Sequence, residues 1–194
     1  MEIQALTHQL PTGPGYGIAA SYEQIPEDNT WYDFLINRLY LFRDIIQKNA
    51  FFDKNHVTKV ISIAKDIEEE LRSIPAKPFL WDASERNVII HKGSITGIVD
   101  VDDVCFGDPL FVIALTSVAL ENEGYDTLYT DYWAEALQLD KNALFRLAFY
   151  RLFYAIAFMR KHSMTTTNRQ KIKFNVQRLE TIFTKSLMRL MSFY

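Results

Sequence analysis

The strongest constraint on the fold is a short change of texture, residues 79–100, inside a chain otherwise written in helical periodicity. Val88-Ile89-Ile90 and the segment Ile95 to Val99 are β-branched runs separated by His91-Lys92-Gly93-Ser94, the signature of a hairpin with a tight turn. Ahead of it, Phe34, Leu35, Leu39, Phe42, Ile45 and Ile46 recur at helical spacing and predict a helix over 31–48, with Thr30 and Asp33 as a capping pair. Val57, Val60, Ile61, Ala64, Ile67, Leu71 and Ile74 predict a second helix over 57–74, stopped by Pro75 and Pro78. Behind the hairpin, an apolar helix opens on Pro109 and runs to Leu120, and further helices are expected over 125–138, 140–162 and 169–191. Residues 1–29 hold Pro11, Gly13, Pro14, Gly15, Gly17 and Pro26 and read as loop. The expected fold class is mainly α with a small β-hairpin, an α+β arrangement. With 194 residues, 48% of them hydrophobic, the chain suits a single domain over 1–194: helices over 30–76, loops and hairpin over 79–108, helices over 109–191.

Charge is unevenly spread. Residues 82–140 hold twelve acids against two bases, whereas 141–194 hold eleven bases against one acid, Glu180. Two readings follow: oppositely charged faces that attract one another, or an acidic middle that receives a cation or cationic substrate. The bases are spread over two amphipathic helices without the aromatic interleaving of an RNA-binding sheet, so no nucleic-acid partner is expected. No apolar run approaches a membrane span, the first residues carry no secretory pattern, and the single Cys105 has no internal partner. A cytoplasmic protein without a membrane partner is expected. The four histidines lack metal-ligand spacing, and Cys105 reads as a packed thiol.

The chemistry-bearing residues gather around the hairpin. Asp82 precedes its first strand, Asn87 opens that strand, and Asp100 ends the second. A tight hairpin returns the chain to its start, so Asn87 and Asp100 are expected side by side with Asp82 one loop away. An amide and a carboxylate oxygen suit a hard cation such as Mg²⁺, and a third carboxylate can orient or deprotonate a hydroxyl. The wording is specific. Asp82 to Asn87 fits D-x-x-x-x-N of the kinase catalytic loop. Gly97 to Asp103, followed by Phe106-Gly107-Asp108-Pro109, resembles the segment that replaces D-F-G in the aminoglycoside and choline-type phosphotransferases. Leu6 to Gly17 is similar to that family's stretch after the interlobe hinge, so the resemblance runs over most of the chain as a kinase-like C-terminal lobe. It implies Asp82 as catalytic base, Asn87 and Asp100 as Mg²⁺ ligands, and Asp108 as a brace for the catalytic loop. The family's His-Gly ahead of the catalytic Asp is replaced here by Leu80-Trp81.

The resemblance also implies Mg²⁺ and ATP as cofactors and a small-molecule hydroxyl as acceptor. A kinase needs a Gly-rich strand-turn, a strand lysine and a helix glutamate on its N-terminal lobe. Gly13-Pro14-Gly15-Tyr16-Gly17 has no preceding strand, and the next lysine is Lys48 inside a predicted helix. The expectation is therefore a C-lobe lacking the N-lobe, with nucleotide binding and turnover weak unless an N-lobe completes it, and an apolar surface covered by self-association or a partner. The alternative is a non-catalytic kinase-like binding module. Trp133, Asp126 and Glu135 lie where the resembling family lines its acceptor site. They suit a cation by charge and cation–π contact, or else belong to an ordinary amphipathic helix.

Overall fold

The computed structural model describes residues 10–20, 24–49, 51–81, 87–99, 103–165 and 169–194. The chain divides into two compact units. One comprises Met1–Phe34 with Glu69–Val112, the other Leu35–Glu68 with Ile113–Tyr194.

In the first unit, three short strands form an antiparallel sheet in the order β1-β5-β2: β1 (Gly17–Ala19), β2 (Lys77–Leu80) and β5 (Val104–Gly107). β5 is central, pairing Ile18 with Cys105 on one side and Phe79 with Cys105 on the other. Its Cys105 and Phe106 are fully buried, so the strand lacks the alternation that marks a half-exposed one. A separate ribbon joins β3 (Val88–His91) to β4 (Ser94–Ile98), the expected hairpin. Lys92 and Gly93 both take positive φ, as a two-residue type I′ turn requires. A bulge between Ile89 and Ile90 shifts the register.

The core of this unit is aromatic. Trp31, at the head of α1 (Trp31–Asn49), stacks on Phe34 at 4.6 Å and meets Phe79 and Phe111 edge-on at 6.4 and 5.0 Å. The Thr30–Asp33 pair caps the helix. The Asp33 N–H donates to Thr30 Oγ1 at 3.1 Å, and the Thr30 hydroxyl donates to Asp33 Oδ2 at 2.7 Å. Arg72, from α3 (Glu68–Arg72), pairs with Asp33 at 3.2 Å and lies over the Tyr32 ring at 4.8 Å. The segment read as loop over 1–29 is corrected in its described part: it contributes β1 and wraps the sheet. The Gly13 N–H donates to the Ala76 carbonyl at 2.8 Å, and the Tyr16 hydroxyl donates to the Ile74 carbonyl at 2.7 Å. Partial burial raises the Tyr16 pKa, which keeps that donor protonated.

The second unit is helical: the rest of α1, α2 (Lys54–Asp66), α4 (Leu110–Glu123) from Ile113 onward, α5 (Leu128–Ala136), α6 (Lys141–Thr165) and α7 (Arg169–Met191). The helix expected over 57–74 starts earlier and divides. Asp53 accepts from the Asn55 N–H at 2.9 Å as the N-cap of α2, and the chain leaves helical geometry at Ile67 (φ −111°, ψ 22°) before α3. No Gly or Pro marks that break. Phe42 packs on Phe153 at 5.6 Å, and His56 stacks on Phe183 at 4.2 Å while its Nε2 meets Glu180 Oε2 at 2.6 Å. α4 runs past the expected Leu120 and ends at Gly124, whose φ of 94° lets the Tyr125 N–H reach back to the Leu120 carbonyl at 2.9 Å. The last helix has the expected bounds.

Candidate active site

The structure describes the frame of the expected catalytic residues rather than all of them. Asp82 and Asp100 lie outside the described residues. Their flanking residues are tied in two places. At one, the antiparallel register pairs Leu80 with Val104, and the Trp81 N–H donates to the Asp103 carbonyl at 3.2 Å. At the other, the Val99 N–H donates to the Asn87 carbonyl at 2.8 Å, one step beyond the Val88–Ile98 pair. Asp82 follows Trp81 directly in sequence, and Asp100 follows Val99 directly. The described residues on either side of 82–86 are thus tied to those on either side of 100–102, once beside the β2–β5 sheet and once at the open end of the β3–β4 ribbon.

Asn87 is buried at that second anchor, 9% exposed. Amide and carboxylate oxygens are the donor chemistry that Mg²⁺ takes, so the Asn87 side chain fits the implied metal. Among the described residues no group of three or more His, Cys, Asp or Glu side chains is placed to hold a metal ion. Asp108 is buried, and its Oδ1 accepts from the Leu110 N–H at 3.0 Å, so it caps α4. Pro109 sits between that cap and Leu110, the first residue of α4, where a missing N–H costs nothing. Gly107 is required sterically: an added Cβ would lie 2.8 Å from Trp31 Cδ2 and closer still to Cε3 and Cζ3. The Gly-Asp-Pro run thus has a physical reason at each position. Trp81, where the resembling family has glycine, leans on Phe111 with 5.6 Å between ring centroids, which ties the end of β2 to the aromatic core. Cys105 is a buried free thiol.

The residues expected at an acceptor surface fall in the second unit. Asp126 and Glu135 line a cleft of about 1060 Å³ formed by α4, α5, α6 and α7. Trp133 does not line it; it is buried, with its ring 5.9 Å from that of Tyr129. Sequence reasoning missed the cleft's other wall, Arg151, Lys185, Ser186 and Arg189. The one usable signal was Arg151, a charge standing inside the apolar run from Leu147 to Met159. Arg151 donates to Ser117 Oγ and, at 2.6 Å, to Glu121 Oε2, while Lys185 reaches Glu121 Oε1 at 3.3 Å. At this carboxylate the acidic middle of the chain meets its basic tail. Arg178 adds a 2.6 Å bond to the Asn122 carbonyl near the end of α4, where a cation complements the exposed carbonyls.

No protein-family profile matches the chain. Among curated proteins it is similar to a probable ketoamine kinase of Staphylococcus aureus (strain NCTC 8325 / PS 47), 26% identical over 155 residues, covering 75% of this chain and 52% of the relative. Among solved structures it is similar to thermostable mutants of aminoglycoside phosphotransferase APH(4)-Ia. The apo form superposes with a TM-score of 0.65, and a ternary complex with AMP-PNP and hygromycin B with 0.63. Each is 18% identical, with 95% of this chain and 62% of the solved chain covered. The chain thus spans about half the length of the curated relative, and 62% of the solved chains, where it matches their C-terminal part. The resemblance read from the sequence, to the C-terminal lobe of the aminoglycoside and choline-type phosphotransferases, is borne out in both comparisons.

Proposed function

We propose that this chain carries the catalytic loop and metal-binding segment of a small-molecule kinase that transfers the γ-phosphoryl group of ATP to an acceptor hydroxyl. The observation that carries the reading is the pair of backbone ties. The Trp81–Asp103 and Asn87–Val99 hydrogen bonds tie the residues that flank 82–86 in sequence to those that flank 100–102, which supports Asp82 and Asp100 belonging to one site. Similarity to nucleotide-bound phosphotransferase structures and to a ketoamine kinase supports both the nucleotide and a small polar acceptor.

Asp82 accepts a hydrogen bond from the acceptor hydroxyl, aims its oxygen at the γ-phosphorus and takes its proton as the new O–P bond forms and the bond from the γ-phosphorus to the bridging oxygen breaks, releasing ADP. Asn87 and Asp100 would hold Mg²⁺ through side-chain oxygens, and the metal would supply positive charge against the phosphate oxygens. Asp108 acts at a distance by fixing α4 just after β5.

Calorimetric titration with Mg·ATP, alongside a phosphoryl-transfer assay on sugar ketoamines and aminoglycosides, tests the reading. Metal-dependent nucleotide binding is expected, lost in Asp100→Ala. Any turnover is expected to vanish in both Asp82→Ala and Asp100→Ala, with nucleotide binding kept in Asp82→Ala. Turnover that survives Asp100→Ala refutes the assignment. Absence of metal-dependent nucleotide binding, even with a complementing N-lobe, supports a non-catalytic module instead.

A further inference from the structure

The helical unit exposes two apolar patches. The first lies on α5 and the turn before it, where Tyr125, Leu128, Tyr129 and Tyr132 are between 53% and 64% exposed. Helical spacing puts Leu128, Tyr129 and Tyr132 on one face, turned away from the buried Thr130 and Trp133. The second lies at the C-terminal end of α7, where Met188, Met191 and Tyr194 are between 51% and 76% exposed. Single exposed apolar side chains are ordinary, whereas contiguous sets of large ones mark interaction surfaces. An aromatic side chain presents about 150–250 Å², so these exposures leave roughly 400 Å² on each patch.

Both patches are ordered before any partner arrives. The Tyr129 ring lies 5.9 Å from that of the buried Trp133, and the Tyr194 ring meets Phe145 edge-on at 5.8 Å. Surface held in advance loses less freedom on association. Thioethers also make favourable contacts with aromatic rings, which suits the methionines of one patch to the tyrosines of the other.

Charge selects the occupant. Glu121 to Asp140 holds six acids and no base, and Thr181 to Tyr194 holds Lys185 and Arg189 and no acid. Leu128 and Tyr132 stand seven and three residues before Glu135, and Met188 stands three after Lys185, so each apolar patch is rimmed by one sign. Laying α5 on α5 opposes acids with acids, and laying α7 on α7 opposes bases with bases. Laying α5 of one copy on α7 of another matches both the charges and the tyrosine–methionine contact. The two helices border one cleft, Asp131 and Glu135 on one side and Lys185 and Arg189 on the other, so a twofold axis beside it makes that contact twice. Both patches together supply about 800 Å² per copy, the area that a standard-sized stable interface takes from each partner.

We infer that two copies of this chain pair through their helical units, α5 of each lying on the C-terminal end of α7 of the other. The pairing stands whether or not the chain transfers phosphate.

Sedimentation velocity of the whole chain across a dilution series tests it, and a monomer–dimer equilibrium in the micromolar range or tighter is expected. Glu135→Arg and Arg189→Glu are the discriminating variants. Each sets like charges against one another at both contacts, so each alone should dimerise about tenfold more weakly than wild type. Mixed in equal amounts, the two should form a heterodimer within about threefold of the wild-type affinity, because each reversed rim then meets the other. Recovery on mixing also shows that the single variants are folded. Tyr132→Ala with Met188→Ala removes apolar contact from both patches and should weaken dimerisation at least about tenfold. A monomer at every concentration overturns the inference. So does a dimer of equal affinity in all these proteins, as pairing through the β3–β4 ribbon would give, or a mixture that associates no more strongly than its components.

Discussion

Gly107 offers the sharpest test of why this sequence needs its fold. Its φ is not in the left-handed region, so alanine meets no backbone objection there. The objection is steric. The face of the Trp31 ring lies where the Cβ would go, with Cδ2 at 2.8 Å and two further ring carbons closer. Trp31 cannot yield, because it is fully buried, stacked on Phe34 and bounded edge-on by Phe79 and Phe111. Overpacking a rigid core costs about 1–3 kcal/mol, and a ring with neighbours on several sides puts Gly107→Ala at the upper end of that range, about 3 kcal/mol. In a chain of this size, that lowers the melting temperature by about 6–12 °C. Urea unfolding should show a lower midpoint at unchanged slope, since the surface exposed on unfolding does not change. Trp31→Leu removes the clashing atoms and leaves a cavity, at a cost of about 3 kcal/mol on its own. In the double variant the added methyl has room, so the two costs should fall short of their sum by about 1–3 kcal/mol. A Gly107→Ala protein within about 0.5 kcal/mol of wild type, or strict additivity in the double variant, would refute the reasoning.

Two further predictions concern the other unit and the ribbon. His162 is buried with its ring near Phe51 and Phe52 at 6.0 and 5.8 Å, and burial lowers its pKa from the usual 6.5. The folded state therefore favours the neutral ring. Stability is fully present above the unfolded value and declines as pH falls below it, because the unfolded chain takes up a proton that the folded chain does not. Urea midpoints should fall less steeply between pH 6.5 and 5 in His162→Phe than in wild type, and parallel slopes would count against the assignment. On the ribbon, Ile89 and Ile90 are 46% and 67% exposed, and Val99 is 46% exposed. Such a β-branched edge favours pairing with another chain, so light scattering across a dilution series should show association that Ile90→Thr weakens; a monomer at every concentration would remove the idea.

How much of this was legible follows from where the information sits along the chain. The hairpin was legible because its turn chemistry and its two runs are contiguous, and Lys92-Gly93 supplies the positive φ pair that its turn demands. The bounds of α7 were legible because its apolar period is unbroken. The β1-β5-β2 sheet was not. Each strand is three or four residues, the pairing is non-local, and the central strand is buried on both faces, so neither length nor alternation announces it. The break at Ile67 carries no Gly or Pro to signal it. The cleft was half legible: Asp126 and Glu135 stood out as acids beside aromatics, but the opposite wall comes from α6 and α7, and only packing brings Arg151 and Lys185 to Glu121.

The site motif was legible for a different reason, and the sheet that sequence reasoning missed supplies it. Five residues separate Trp81 from Asn87 and three separate Val99 from Asp103, and each pair of ends is tied, Trp81 to Asp103 and Asn87 to Val99. The two ties fix the distance between the flanking residues on each side, so an inserted residue lengthens the chain between them without changing the span and displaces whatever side chains that stretch carries. Spacing is therefore a mechanical property of the β2–β5 pair and the β3–β4 ribbon acting together. A D-x-x-x-x-N pattern elsewhere in a chain carries no such pair of ties. This one does, because β5 runs antiparallel to β2 and brings the residue before Val104 back to the residue after Leu80. One extra glycine between Asp100 and Asp103 should accordingly cost far more metal-dependent nucleotide binding than overall stability. A single glycine between Lys92 and Gly93, at the distal turn of the same ribbon, should change neither by much. Calorimetric titration and urea unfolding of the two insertions would show it, and equal losses of binding in both would mean that the anchors do not govern the site.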